Sequence, residues 1–406
     1  MTTLALPGHG EPDAGKLARP VRREGWGNLR QQWRVAPHPY STDELRESTD
    51  ALSRVSTFAY DRLGRTKSRI DKKNGVVAMT TTWTWDTAAN GIGKLHKLTN
   101  SDGEKTYSYT KLGQLEGLTL SVSGANALLE GKLGYDQFAR VAMITYPTPA
   151  GAAPFVITQD YDPYGHVLKV HDDVTNYWQL QDVDDAGRFR QEKLGNDLLT
   201  ERSYYADKQS LKSIVTAGGT VQSLAYEYDA RLSVKSRTDA LQMQNKTERF
   251  RYDALDRLTC AYFSAVEDPF APCATSYSYE PNGNMTLKSD VGVLSYKDPS
   301  HPHAVTSAGG DSFGYDAVGN QFTRPGGVTV TYTASDLPKL IKQGALTLAT
   351  FGYDGDQKRI RKTTPDKETL YFGELYERVT TKKGPAKTEH RYYVNVRPEA
   401  KESPMT

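Results

Sequence analysis

Three sets of residues in this chain of 406 have types that could do chemistry. His301 and His303 flank Pro302 and would bring two imidazoles together, as a metal site requires. No cysteine or carboxylate cluster stands beside them to complete a ligand set, and Pro299 and Pro302 stiffen the segment, so a rigid loop is the favoured reading. The aspartates Asp61, Asp136, Asp162, Asp229, Asp253, Asp316 and Asp354 are of the type that ligates calcium or forms a catalytic carboxylate pair. Each recurs once per repeated segment, where an Asp accepts hydrogen bonds from the backbone two residues on, and turn bonding outweighs catalysis. Glycoside hydrolysis needs two carboxylates converging from different strands, and no carboxylate stands apart from the repeats. Gly-x-Ser-x-Gly, His-Glu-x-x-His and phosphate-loop motifs are absent from the sequence. We expect no enzyme activity, no bound metal and no cofactor.

Cys260 and Cys273, the two cysteines, lie in RLTCAYFSAVEDPFAPCATSYSY. If the flanking strands pair around a loop near Glu267, Asp268 and Pro269, the two fall almost opposite each other, within disulfide range. A bridge would imply export to an oxidising space. Two buried thiols on adjacent strands are the alternative, and the one the sequence favours.

The elements that carry these residues repeat. Tyr60, Trp85, Tyr109, Tyr135 and Tyr161 recur roughly every 25 residues, and Tyr228, Tyr252, Tyr279, Tyr315, Tyr332 and Tyr353 continue the series. Many are preceded by a second aromatic at i−2, as in Tyr107/Tyr109 and Phe351/Tyr353, which puts both rings on one face of a strand. Turn residues come next: Asp61 with Gly64, Gly113, Asp136, Asp162 with Gly165, Asp253, Gly283, and Asp316 with Gly319. Asp bonds its own backbone and Gly supplies the positive φ of a tight return. After the turn stand Arg or Asn and an alternating segment that reads as the returning strand. The unit is a β-hairpin, and the chain an all-β series of them.

Composition agrees with a thin core. Apolar residues are 37% even with tyrosine included, and 25 tyrosines against 11 phenylalanines suit rings whose tips stay wet. We expect a single-layer sheet that coils on itself, held by cross-strand aromatic pairs. Residues 1–20 read as a disordered lead, 21–395 as the repeat array and 396–406 as a disordered tail. STDELRESTDALSR, 41–54, has a capping Ser or Thr followed by acidic residues and reads as a short helical insertion. With 51 basic and 49 acidic residues, charge points to neither nucleic acid nor anionic lipid. The opening has no secretory apolar core, and no apolar run approaches the roughly 18 residues of a membrane span.

The Tyr-Asp-x-x-Gly-Arg/Asn units resemble the YD repeats of Rhs proteins, shared with the B and C components of insecticidal Tc toxin complexes and, more distantly, with teneurins. HPHAVTSAGGDSFGYDAVGNQFTR, 301–324, is similar to the stretch before the bacterial Rhs core, and ETLYFGELYERVTTKKGPAKTEHRYYV, 368–394, resembles the segment next in order in those proteins. The resemblance covers roughly residues 20–395 and implies a spiral sheet forming part of a hollow shell, here open at both ends. It also implies a polypeptide cargo, a toxin region, inside the shell. The family's core with its aspartyl autoprotease and C-terminal toxin has no counterpart after HRYYV, so self-cleavage is carried over to no residue. EGWGNLRQQWR, 24–34, already reads as the second half of a repeat. We therefore expect a shell segment that a complementary segment completes, or a truncated remnant. Such a segment would be made in the cytoplasm and then secreted, or displayed at the cell surface, within a larger toxin assembly without a Sec leader. The alternative function is a surface module binding glycans or proteins, with Trp83/Trp85 and Tyr177/Trp178 as groove aromatics. A polysaccharide hydrolase is the remote third.

Overall fold

The computed structural model describes residues 34–35, 44–125, 127–241, 246–385 and 387–394. Among the described residues the chain is a succession of antiparallel strands with two short 3-10 turns, Ala217–Gly219 and Pro325–Gly327, and no α-helix. Strands pair with their sequence neighbours: Val55–Tyr60 with Thr66–Lys73, and that strand in turn with Val76–Trp85. Short turns allow this up-and-down order. At Asn74-Gly75 both residues have positive φ, the two-residue form that matches strand twist. The all-β hairpin series expected from the sequence is the observed fold.

The expected helix at 41–54 is a strand and a turn over its described part. Leu45–Thr49 pairs with Val55–Tyr60. Asp50 Oδ1 accepts the N–H groups of Leu52 and Arg54 at 2.9 Å each, and its second oxygen takes the Arg54 guanidinium. TDALSR is thus a degenerate repeat with Ser53, φ 57°, in the glycine place. Acidic residues near a capping Ser or Thr suit a helix start, but strand pairing overrides that weak local preference. The expected lead 1–20, the half-repeat 24–34 except for Arg34, and the tail 396–406 lie outside the described residues.

Two compact units divide the chain. The first comprises residues up to Val156, Asp298–Ala304 and Ser312–Tyr393. In it an early run of hairpins packs against a late run. Leu115–Val122 shows how: alternate residues Leu118, Leu120 and Val122 are buried on one face. They join Leu98, Tyr107, Tyr109 and Leu129 and meet Ile360, Leu370, Phe372 and Tyr376 from the late run. Each fully buried side chain of this kind contributes about 1.5–3 kcal/mol. Polar contacts edge the same seam. Asn100 Nδ2 donates to Tyr353 O at 2.9 Å, Tyr353 N–H donates to Asp102 at 3.0 Å, and Arg361 donates to Ser123 O at 2.7 Å. Lys105 pairs with the buried Asp354 at 2.6 Å. Burial raises the Asp354 carboxyl above its ordinary value against the pull of Lys105.

The second unit comprises Ile157–Lys297, Val305–Asp311 and, among the described residues, Val394. Its largest buried side chain is Trp178, fully covered. The Trp178 indole N–H donates to Glu192 Oε2 at 2.8 Å, and Arg202 donates to the other carboxylate oxygen at 2.5 Å. A buried carboxylate is tolerated because both oxygens are paired.

The face-to-face packing in the first unit depends on a missing side chain. A Cβ on Gly131 would lie 2.6 Å from Cε1 of the buried Phe372 ring. Gly131→Ala should therefore destabilise the chain by about 1–3 kcal/mol through overpacking, read as a lowered denaturation midpoint. An unchanged midpoint would mean the two runs do not meet there.

Candidate functional site: the hairpin lattice

The repeated aromatic, Asp and Arg residues form one recurring arrangement. In the turn after Tyr60, Asp61 N–H donates to Arg65 O at 2.9 Å and Gly64 N–H donates to Asp61 O at 3.2 Å. Asp61 Oδ1 accepts the N–H of Leu63 and of Arg65, and Oδ2 accepts Arg65 Nε at 2.6 Å. Asp136, Asp162, Asp184 and Asp253 repeat this with Arg140, His166, Arg188 and Arg257. Asp316 does so with Asn320, and Asp229 keeps the backbone part alone with Ser233. Burial opposes ionisation of Asp61, but the Arg65 N–H, the guanidinium and the Leu63 N–H together hold its carboxyl below the ordinary range. Turn bonding is thus where the sequence-expected aspartates are found. Gly64, Gly113, Gly165, Gly283 and Gly319 all take positive φ in these turns, and Ala139, Leu232, Asp256, Asp336 and Gln357 adopt it in the glycine place.

The aromatic ties one hairpin to the one before. Tyr60 OH donates to Leu45 O at 2.8 Å, Tyr109 OH to Leu95 O at 2.5 Å and Tyr135 OH to Leu115 O at 2.6 Å. Tyr252 reaches Val234 O, Tyr279 reaches Leu258 O, Tyr332 reaches Gln321 O and Tyr353 reaches Pro338 O, at 2.7–2.9 Å. Every acceptor is the first residue of the preceding return strand. Trp85 makes the same bond to Thr66 O through its indole N–H at 2.8 Å, which explains how Trp replaces Tyr. Burial raises these phenols above their ordinary value, so they remain donors. Tyr161 donates to Gln159 at 3.1 Å, Tyr315 accepts from the Gln321 amide at 3.4 Å, and Tyr228 packs edge-on against Tyr205.

The Arg ties the hairpin to the next. Arg65 lies 5.0 Å from the Trp85 ring and donates to both carboxylate oxygens of Asp86. Arg188 lies over Tyr204 at 4.0 Å and reaches Gln209 O, and Arg257 lies over Tyr279 and reaches Glu280 O. The turn at Asp184 and the tie from Tyr204 OH to Phe189 O at 3.1 Å are further copies, between Tyr161 and Tyr228 of the sequence series.

The other sequence candidates fall into structural roles. Cys260 and Cys273 are joined as a disulfide with Cα atoms 5.3 Å apart, so the thiol reading is set aside. Arg251 braces the bridged loop through the carbonyls of Pro269 and Ala271. His301 is buried with Nδ1 2.8 Å from Asp298. Of the aromatics expected to line a groove, Trp178 is buried, Trp85 donates to Thr66 O with Arg65 5.0 Å from its ring, Trp83 packs against the core and Tyr177 OH donates to Asp172 at 2.7 Å. Exposed apolar side chains stand instead at turn tips of one sheet edge in the first unit: Leu63, Ile92, Leu112 and Phe138.

The Arg65 bridge has a pH signature. The Arg65 guanidinium first, then the Gly93 N–H, lower the Asp86 carboxyl to about 2. A depressed carboxylate stabilises the fold fully above the ordinary Asp value near 3.9 and loses that contribution as pH falls through about 2. A carboxyl-carbon NMR titration should give Asp86 a midpoint near 2, rising toward the ordinary value in Arg65→Met. An ordinary midpoint in the unaltered chain would contradict the bridge.

No protein-family model matches this chain, and no curated protein matches its sequence. Solved structures do. The crystal structure of TcdB2-TccC3-Cdc42 superposes with a TM-score of 0.67 at 18% identity, over 85% of this chain and 20% of that chain. TcdB2-TccC3-TEV gives 0.66 at 16%, and a Tc holotoxin pore of Photorhabdus luminescens 0.66 at 18%, each over 84% of this chain and 20% of theirs. The chain spans about a fifth of the length of these proteins. At such identities the likeness is one of fold, and it runs along most of the hairpin array: the chain has the fold of part of a Tc toxin complex chain.

Proposed function

We propose that this chain is a wall segment of a hollow β-shell of the Rhs/YD-repeat kind, which encloses a polypeptide cargo and is completed by a complementary shell segment. The observation that carries the reading is the hairpin lattice itself, matched over 84–85% of the chain by Tc toxin complexes. Two of those structures are described as TcdB2-TccC3-TEV and TcdB2-TccC3-Cdc42, and a third as a Tc holotoxin pore. The chemistry of the strands supports a wall that holds a chain without folding it. Thr66–Lys73, Phe189–Leu194 and Lys246–Tyr252 (TKSRIDKK, FRQEKL and KTERFRY) are rich in charge and poor in large apolar groups, and Lys67, Arg190 and Lys246 are exposed on them. In this reading the chain does no catalysis, and its aspartates serve turns. A secreted toxin assembly is the proposed setting, supported by the likeness to a Tc holotoxin and by the Cys260–Cys273 bridge, which suits an oxidising compartment.

A surface recognition role is the second reading. The exposed tips Leu63, Ile92, Leu112 and Phe138 favour a protein partner over a glycan, because the aromatic pairs offered for sugar stacking are occupied within the sheet.

The test is co-expression with the products of the flanking genes. The shell reading expects a longer hairpin-repeat chain to co-purify, together with a polypeptide that resists protease until the assembly is unfolded. Recovery of this chain alone, or of a complex whose other members are digested at once, would refute it.

A further inference from the structure

Thr388–Tyr392 closes a nine-strand sheet of the first unit and, among the described residues, has one neighbour, Tyr376–Thr381. The main-chain parity of this edge is readable. Tyr393 N–H donates to Leu375 O at 2.8 Å, and Lys387 O accepts from Thr381 N–H at 2.9 Å. In the same register Arg391 faces Glu377 and Glu389 faces Val379. Odd-numbered residues therefore direct N–H and C=O toward the neighbouring strand, and Thr388, His390 and Tyr392 direct theirs away from it. An open strand edge of this kind is a template for another strand.

We infer that this edge pairs with the same edge of a second copy of the chain, antiparallel about a two-fold axis at His390. The strand is complementary to itself in that register. His390 faces His390, Thr388 faces Tyr392 of the other copy, and the outward residues exchange about six main-chain hydrogen bonds. Glu389 of each chain then stands directly opposite Arg391 of the other, twice over. These are non-hydrogen-bonded positions, where opposed side chains approach most closely. Both side chains reach solvent, with exposures of 40% and 47%, while Glu389 also contacts Lys387 at 2.9 Å and Arg391 contacts Glu377 at 3.5 Å. Within the chain they already contact each other at 3.1 Å, so the two charges lie on one face of the strand.

Other occupants fit less well. A register centred on Thr388 would set Pro385 opposite Arg391 and Gly384, which has no side chain, opposite Tyr392. A strand from the segment 395–406 would bring Pro398 and Pro404, neither of which has the N–H a ladder needs. Nothing in Thr388–Tyr392 blunts the edge, since it contains no proline and its charges are balanced in the two-fold register. A five-residue edge is small beside a stable interface, so the dimer is a weak one that depends on concentration. The inference does not rest on the shell reading: it is argued from the edge strand and its charges alone, and its test is self-association rather than co-purification.

Sedimentation of the full chain from about 1 to 200 µM tests it, a range that brackets weak association. The mass should rise from 45.1 kDa toward twice that value. Arg391→Glu places like charges opposite each other twice and should weaken the dimer at least about tenfold. The exchange E389R/R391E restores opposite charges in the His390 register, and should recover dimerisation to within about threefold of wild type. In the Thr388 register the exchange would instead set two positive charges against each other, Lys387 of one copy and the introduced guanidinium at position 389 of the other. A thermal melt checks folding, and Glu389→Arg reads the same contact if Arg391→Glu is unstable beside Glu377. Wild type that stays at 45.1 kDa throughout overturns the inference, as its own tail covering the edge would produce. So does a dimer indifferent to Arg391→Glu, or an exchange no better than the single change.

Discussion

A lone β-hairpin is marginal in water, and this chain is a long row of them. What makes the row a stable sheet is a set of ties between hairpins, backward along much of the row and forward on several of them. The backward tie is a phenol or indole donating to the first carbonyl of the preceding return strand, as Tyr252 does to Val234 and Trp85 to Thr66. The forward tie is the arginine that closes its own Asp turn and lies over the next ring, as Arg65 and Arg257 do. Each bond is worth only about 0.5–1.5 kcal/mol, but the ties recur along the array and need no thick apolar core. The polar composition is a consequence. Tyrosine outnumbers phenylalanine because the ring must both pack and donate.

The ties also explain what kind of variation the repeat tolerates. Any residue able to donate from a ring edge serves in the first place, and any residue that bears left-handed backbone serves in the glycine place, as Leu232 and Gln357 do. The Asp place tolerates Thr, since Thr110 Oγ1 and Thr333 Oγ1 accept the same two backbone N–H groups. The first unit adds a second level of order, in which two runs of hairpins meet through Gly131, Phe372 and the Asn100–Tyr353 contacts.

The local part of this is legible in the residues. Aromatic pairs at i, i+2 and Asp-x-x-Gly turns are features of a few adjacent positions, and the structure has them where the spacing puts them. The segment 41–54 reads as a helix because its turn lacks both the ring and the glycine, leaving acidic residues that also suit a helix start. The meeting of the two runs is not legible, because it joins positions far apart in the sequence, and the buried Trp178–Glu192–Arg202 contact, although it joins adjacent strands, depends on a register and a facing that the residues alone do not set. The Cys260–Cys273 bridge lies between these cases: the hairpin is readable, and the choice between bond and thiols is not.

The backward tie is the claim on which the account rests, and hydrogen exchange measures it most directly. Tyr252 OH joins two hairpins across the pairing of Val234–Asp239 with Lys246–Tyr252. Tyr252→Phe removes the donor and leaves the Val234 carbonyl without it, while the ring still packs. Amides of that pairing should then exchange about 3–10 times faster, the equivalent of roughly one hydrogen bond. Exchange unchanged from wild type would show that the phenol does not hold the hairpins together.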